Sequence, residues 1–310
     1  MKTSTLRADG LLLITAIIWG TAFVAQRVGM DHLGPFGFNF ARFLLGTLSL
    51  LPLYFFLKMR RKRKGIQDAQ PASRSLLIWG GIATGLILFM GSSFQQIGLL
   101  YTTAGKAGFI TGLYLIFVPI LGLAFRHKTG VHTWVGAVLA LAGLYFLSIN
   151  EHLVLARGDA LELIGSLFWA GHVLIIAWLS KHVDAIALSI IQLITCTTLS
   201  LIVALGFETL TWQAIADTWF PIVYAGFFSV GIAYTLQIIG QKEAPPAHAA
   251  IILSGEALFA VVGGWLLIDE GLGSRELLGC GLMMAGMLVS QFSLKWLMRR
   301  KRISMAAVSS

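Results

Sequence analysis

The chain has 310 residues, 57% hydrophobic and 12% charged, with a net charge of +9 and a mean hydropathy of +0.81. Soluble domains carry about 25% charged residues, so this composition excludes an ordinary soluble globule and a disordered tail protein. The two cysteines, Cys196 and Cys280, both lie in apolar runs, which excludes a disulfide framework and a Cys-based metal site.

Ten apolar runs of membrane-spanning length follow one another, over 10–30, 36–57, 75–98, 104–125, 131–149, 159–180, 185–206, 217–239, 246–268 and 275–297. A spanning helix needs about 20 apolar residues. The runs are continuous and do not alternate at period two, which excludes a transmembrane β-barrel. Lipid then obliges each run to satisfy its own backbone hydrogen bonds as a helix. The first run continues through Trp19-Gly20-Thr21-Ala22-Phe23 and reads as a retained helix, not a cleaved signal.

Charge placement predicts orientation. With the N-terminus in the cytoplasm, eighteen of the 23 Lys and Arg residues fall inside, seven of them between Lys58 and Arg74 and five in the C-terminal segment. Only Lys106, Arg157 and Arg275 fall outside, while Arg27 and Arg42 lie within apolar runs. The positive-inside rule therefore puts both termini in the cytoplasm. The basic run Lys58-Met59-Arg60-Arg61-Lys62-Arg63-Lys64 imitates a nucleic-acid patch, but between two spans it reads as a topology anchor on anionic lipid.

The second half repeats the first. A shift of 150 places the stretch from Asp9 to Trp19 on that from Asp159 to Trp169, with Asp, Trp and three apolar positions identical, and places Arg42 on Gln192. Five helices per half is an odd number, so the halves must be inverted with respect to each other, as in many secondary transporters. At about 1.5 Å per residue, Trp19 and Trp169 enter from opposite faces and both reach the bilayer midplane. The predicted fold is thus an all-α membrane protein of ten transmembrane helices. It has two inverted five-helix repeats, 9–149 and 159–297, followed by a basic cytoplasmic tail, 298–310.

Few polar side chains lie within the runs. Of the fourteen acids, Glu256 alone reads as deep, about nine residues into the ninth run; an intramembrane ionisable group is by default a functional hypothesis. It suits a substrate ammonium or a coupling proton, or else a hydrogen bond holding helices together. Arg42, with Asn39 three residues earlier on the same face, suits a substrate carboxylate or phosphate, an outer gate or a bundle contact. Gln192 offers a neutral contact at the equivalent place. Trp19, Phe23 and Gln26 share one face of the first helix, and Trp169 and His172 one face of the sixth; each stripe is also compatible with packing. Tyr114, Gln95 and Gln96 add further polar groups. Arg27, near a helix end, can snorkel to the interface. Gly81 with Gly85, Gly108 with Gly112, and Gly136 with Ala140 provide for close helix crossings.

Several stretches resemble the EamA family of the drug/metabolite transporter superfamily. They are Trp19-Gly20-Thr21-Ala22-Phe23; Tyr101-Thr-Thr-Ala-Gly-Lys-Ala-Gly108 leading into Pro119; and Ala244-Pro245-Pro246-Ala247 through Gly264-Trp265-Leu-Leu-Ile-Asp269-Glu270. The resemblance implies ten helices in two inverted repeats, with a central cavity lined by helices one to four and six to nine. It also implies movement of amino acids, other small metabolites or toxic compounds, often outward. Two departures stand out: the ninth helix has Ala257 in the place given to Pro119, and Arg126-His127-Lys128 replaces the acidic turn kept at Glu270.

Enzyme signatures are absent: there is no Gly-x-x-x-x-Gly-Lys-Ser/Thr loop, no His-Glu-x-x-His and no Gly-x-Ser-x-Gly. The expected function is a secondary transporter, not an enzyme. Export of amino acids or related metabolites across a bacterial-type cytoplasmic (inner) membrane is favoured. The expected partners are a small-molecule substrate, membrane lipid and a proton as candidate coupling ion, with no nucleic acid, cofactor or metal, in a monomer or homodimer. The alternative is a membrane-embedded enzyme or lipid-handling protein using the same cavity.

Overall fold

The computed structural model describes residues 3–63, 74–123, 131–148, 155–244 and 246–291. The expected basic tail 298–310, the end of the tenth run, most of the basic loop after Arg63, and Arg126-His127-Lys128 lie outside the described residues.

The chain is a helical bundle. Its helices are α1 (Thr3–Gly29), α2 (Pro35–Arg63), α3 (Arg74–Gly98), α4 (Ala104–Thr111), α5 (Tyr114–Gly122), α6 (Val131–Ser148), α7 (Arg157–Leu179) and α8 (Ala185–Phe207). A short α9 (Trp212–Asp217) and α10 (Trp219–Val223) precede a π-helical segment, Tyr224–Ala233, and α11 (Tyr234–Glu243), α12 (Pro246–Leu253), α13 (Glu256–Ile268) and α14 (Ser274–Gln291) complete the described fold. Among the described residues, eight helical stretches are long and apolar enough to cross a membrane. The fifth and tenth predicted runs coincide with α6 and α14, of 18 described residues each.

The helices bury small and polar residues and expose large apolar ones. On α1, Ala8, Leu12, Thr15, Ala16, Ala22, Phe23 and Gln26 face inward at helical spacing, while Leu13, Ile14 and Ile17 face outward. Phe207 is 86% and Leu205 69% exposed. A contiguous apolar exterior of this kind suits lipid as solvent, where association rests on close packing instead of hydrophobic exclusion. The predicted small-residue crossings are realised: Gly85 abuts Gln192 and Thr195 of α8, Gly108 abuts Ala257 and Ala260 of α13, and Gly136 receives Gly286 of α14.

Capping fixes the helix starts. Asp184 accepts from the backbone N–H groups of Ile186 and Ala187 at 3.1 and 3.0 Å, opening α8. The α2 start is capped from a distance: the Glu208 carboxylate accepts from Phe36 and Gly37 N–H at 2.9 and 2.7 Å. A carboxylate there complements the positive end of the helix dipole.

The fourth and ninth runs are each broken in mid-course. At Gly112-Leu113, backbone bonds tighten to i→i+3, from Leu115 N–H to Gly112 O and from Ile116 N–H to Leu113 O. At Ser254-Gly255 the same bonds recur, from Ala257 to Ser254 and from Leu258 to Gly255, each 142 positions later. That register sets Tyr114 opposite Glu256 as the first residue of its half-helix, and it sets Pro119 on Val261. The sequence-based placement of Pro119 on Ala257 is thereby corrected: apolar helices align loosely, and the backbone break supplies the register that side chains do not.

The packing is reciprocal. α1 contacts α13, and α7 contacts α4 and α5; α1 contacts the π segment and α11, and α7 contacts α3; α2 meets the π segment, and α8 meets α3. α2 with α8, α4 with α13 and α6 with α14 pair directly. Exchanging each first-half helix for the second-half helix that answers it in order returns most of these contacts, α4 with α13 answering to α12 with α5 and α7 with α4 to α1 with α12.

Candidate functional site

The central space lies between α1, α7 and the two broken helices. A small, partly open cavity is lined by Trp19, Phe23, Gln26, Arg42, Gln95, Thr111, Tyr114, Trp169, Val173, Ser229, Tyr234, Gln237 and Glu256. Eight of the candidate residues named from sequence, Gln95 among them, therefore border one space. Asn39, Gln96 and His172 each touch a lining residue from behind, and Gln192 joins through His172.

The aromatic floor is built from both halves. Tyr234 lies between the two tryptophans, its ring 4.9 Å from Trp19 and 6.3 Å from Trp169, the latter nearly parallel at 25°. Each indole N–H is spoken for: Trp19 donates to Ser229 O at 3.2 Å, and Trp169 donates to Gln95 Oε1 at 3.0 Å. Gln95 Nε2 in turn donates to Gln26 Oε1 at 2.9 Å, joining α1, α3 and α7 through one amide. Gln26 is held by its own helix, donating to Ala22 O at 3.2 Å, and its backbone carbonyl accepts from Gln96 Nε2 at 3.1 Å.

The π segment explains why Ser229 and Tyr234 were not legible from helical periodicity. Wider i→i+5 winding changes which side chains share a face. Its small residues Gly226 and Gly231 are pressed against α2, where a Cβ on Gly226 would come 2.9 Å from Arg42 O. Residues with larger side chains would push this segment off the helix that carries Arg42.

Arg42 is 3% exposed. Its Nε donates to Asn39 Oδ1 at 2.9 Å, and Asn39 Nδ2 donates to Ser92 O at 3.3 Å, so Asn39 is the support through which α3 orients the guanidinium. The group also lies over the rings of Phe43 and Phe38, 4.9 and 5.8 Å from their centroids. No ion pair joins Arg42 to an acid among the described residues, and it borders the cavity. A guanidinium has five N–H donors, so the remaining donors are available to a carboxylate or phosphate.

Glu256 opens α13 and is likewise 3% exposed. The Tyr114 hydroxyl, at the start of α5, faces its carboxyl without completing a well-aligned hydrogen bond. Arg42 and Glu256 are the charged side chains of the lining, and they do not pair with each other. His172 and Gln192 pair instead with one another at 2.9 Å, and the imidazole stacks edge-on to Trp169 and Tyr234, supporting the aromatic floor from behind.

A second deep acid was missed. Glu162 of α7 is 0% exposed, and its Oε2 accepts from the Thr111 hydroxyl at 3.1 Å. It reads as a helix-end residue in sequence, five positions into α7, and only the packing of α3 and α4 over that end buries it. Arg27, by contrast, is partly exposed near the end of α1, 4.0 Å from Asp31, as a snorkelling side chain would be. Among the described residues, no three His, Cys, Asp or Glu side chains converge as metal ligands.

Comparison with known proteins places this cavity in context. The chain is 30% identical over 285 residues to a protein of Archaeoglobus fulgidus named an uncharacterized transporter, covering 92% of this chain and 85% of the relative. It is 24% identical to the uncharacterized transporter YoaV of Bacillus subtilis, over 92% of this chain and 96% of that one. It is 26% identical to a probable amino-acid metabolite efflux pump of Escherichia coli, over 94% and 97%. A crystal structure at 17% identity shares the fold with a TM-score of 0.67, covering 94% of this chain and 98% of its own. The model of the EamA-like transporter family matches residues 6–149 and 156–292. With its stretches of apolar helix and a family match over nearly its whole length, the chain is a multi-pass membrane protein belonging to the EamA-like transporter family.

Proposed function

We propose that the protein carries small zwitterionic metabolites, amino acids foremost, across a bacterial-type inner membrane by alternating access about this cavity. The observation that carries the reading is a buried cation and a buried carboxyl, unpaired with each other, bordering one cavity walled by two tryptophans. Arg42 would take the substrate carboxylate, Glu256 its ammonium, and the aromatic floor its side chain. Glu256 would also exchange a coupling proton when the ammonium leaves. Export is the favoured direction, in keeping with the name of the Escherichia coli relative.

In this reading ten helices form two inverted repeats, 9–149 and 159–297, with both termini in the cytoplasm. The reciprocal packing and the twin helix breaks support it, since rocking one repeat against the other exposes a midplane site to each face in turn.

The test is counterflow of a labelled amino-acid panel in proteoliposomes, with and without a proton gradient. Arg42→Ala and Glu256→Gln should each lower flux at least about tenfold, the loss of one charge-assisted contact of about 1.4 kcal/mol or more. Flux unaffected by either substitution, or no flux of any amino acid, would refute the assignment.

A further inference from the structure

We propose that Gln237 is a specificity-determining residue of the cavity, whose side-chain amide recognises a carboxamide on the transported molecule. Six glutamines are buried among the described residues: Gln26, Gln95, Gln96, Gln192, Gln237 and Gln241. Five of them are bonded within the protein. Gln26, Gln95 and Gln96 tie α1 to α3, Gln192 pairs with His172, and Gln241 Nε2 donates to Val173 O at 3.2 Å. Gln237 is the exception. It is 1% exposed and borders the cavity, yet its Oε1 is buried without a hydrogen-bond partner and its Nε2 meets no acceptor among the described residues. An unpaired primary amide in apolar surroundings is costly, and a residue that served packing alone would be apolar here.

Gln237 stands one turn beyond Tyr234 on α11, so it follows the aromatic floor toward the mouth where α11 ends. The length of α1 orders the polar groups along the cavity. Phe38, one turn before Arg42, lies against Gly29 at the end of α1; Glu256 O lies against Gly20; and Gly240, one turn after Gln237, lies against Leu12 near its start. The cavity thus presents a cation, a carboxyl and a free amide in that order. With a zwitterion held by Arg42 and Glu256, an orientation that rests on the reading above, the substrate side chain runs past the Tyr234 ring to Gln237. The amide contact itself does not depend on that orientation.

The chemistry of the group selects its ligand. A glutamine amide has two N–H donors and a carbonyl acceptor, and its last torsion is soft enough to turn that edge toward a ligand. A carboxylate answers only the donors and an ammonium only the acceptor, whereas a carboxamide answers both in one coplanar pair. An apolar side chain answers neither and leaves the amide unpaired, which is how a polar site rejects an apolar analogue of the same shape. Of the other neutral lining groups, Gln26 and Gln95 are bonded to each other and Thr111 to Glu162, while Tyr114 and Ser229 carry single hydroxyls. Gln237 alone among the described lining residues has both a donor and an acceptor of one amide to give.

The test is ligand-dependent thermal stabilisation of the purified full-length protein in detergent. Asparagine is compared with leucine and glutamine with methionine, pairs of closely similar shape. Butanamide, which has neither ammonium nor carboxylate, is titrated in parallel. Wild type should bind each carboxamide at least about tenfold more tightly than its apolar partner, as the two hydrogen bonds of an amide pair provide. Gln237→Met should abolish that ratio, keep the apolar amino acids bound, and abolish stabilisation by butanamide. Without ligand, Gln237→Met should melt no lower than wild type, because it removes an unpaired buried amide; a lower melting temperature would make Gln237 a structural tie and overturn the proposal. Equal binding within the pairs, or a ratio that survives Gln237→Met, would also overturn it while leaving the amino-acid reading in place. If no amino acid stabilises the protein, that reading fails and butanamide decides: stabilisation lost in Gln237→Met upholds the amide site, and any other result overturns it.

Discussion

The amide of Gln95 is the point at which the two halves of the cavity wall can be tested for mutual dependence. Gln95→Met removes two buried neutral hydrogen bonds, to Trp169 at 3.0 Å and Gln26 at 2.9 Å. At about 1 kcal/mol net each, the substitution should cost about 2 kcal/mol, less whatever cavity water restores. Trp169→Phe removes one of those bonds and some buried area. The area term cancels in a double-mutant cycle, which leaves the hydrogen bond itself. Such interhelical couplings in membranes average about 0.6 and reach about 1.7 kcal/mol, so the Gln95–Trp169 coupling should fall in that range. Unfolding in mixed micelles of increasing denaturing detergent measures all four proteins. Additivity within about 0.3 kcal/mol would mean that the bond contributes nothing, and that Trp169 is not held from the opposite half as described.

Three further outcomes follow from the packing. Glu208→Ala takes both acceptors from the first turn of α2, and should cost about 1–2 kcal/mol with faster amide exchange at Phe36 and Gly37; unchanged exchange would show the cap to be idle. Gly143→Leu should part α6 from α14, since even a Cβ would approach Gly279 O to 2.6 Å. The expected destabilisation in the same unfolding assay is at least about 1–3 kcal/mol, against little effect from a leucine at Gly171, where nothing stands within 4 Å. The Asp9–His248 pair is partly exposed, so His248→Ala should cost under about 1 kcal/mol; a larger loss would mark it as a structural tie between α1 and α12.

What could be read from the sequence was whatever depends on one chain segment alone. The hydrophobic runs, the equivalence of Trp19 and Trp169, and the depth of Glu256 all follow from spacing, because in lipid each helix must be self-sufficient. Arg42 and Asn39 could be joined at i, i+3, and they do bond. What depends on a second segment was not legible. Glu162 looked like an end residue because nothing in α7 reveals that α3 closes over it. Tyr234 and Ser229 enter the cavity through a π winding that apolar periodicity does not signal. Glu208 caps a helix 172 positions away, and no local capping rule reaches that far. His172 stands behind the cavity wall and not in it, because its partner Gln192 comes from another helix.

The twin breaks at Gly112-Leu113 and Ser254-Gly255 have a further consequence. In hydrocarbon an interrupted helix normally leaves amide groups stranded, which is severely unfavourable. Here the bonds around each break shorten by one residue instead of disappearing, so the backbone stays paired while its axis loses straightness. Each long rod thus contains a joint that can bend inside lipid without exposing polarity. The joint stands directly before Tyr114 in one rod and before Glu256 in the other. A bend at either one would displace an acid or a phenol that borders the same small space, so a change in the shape of either rod is also a change in the polar lining of the cavity.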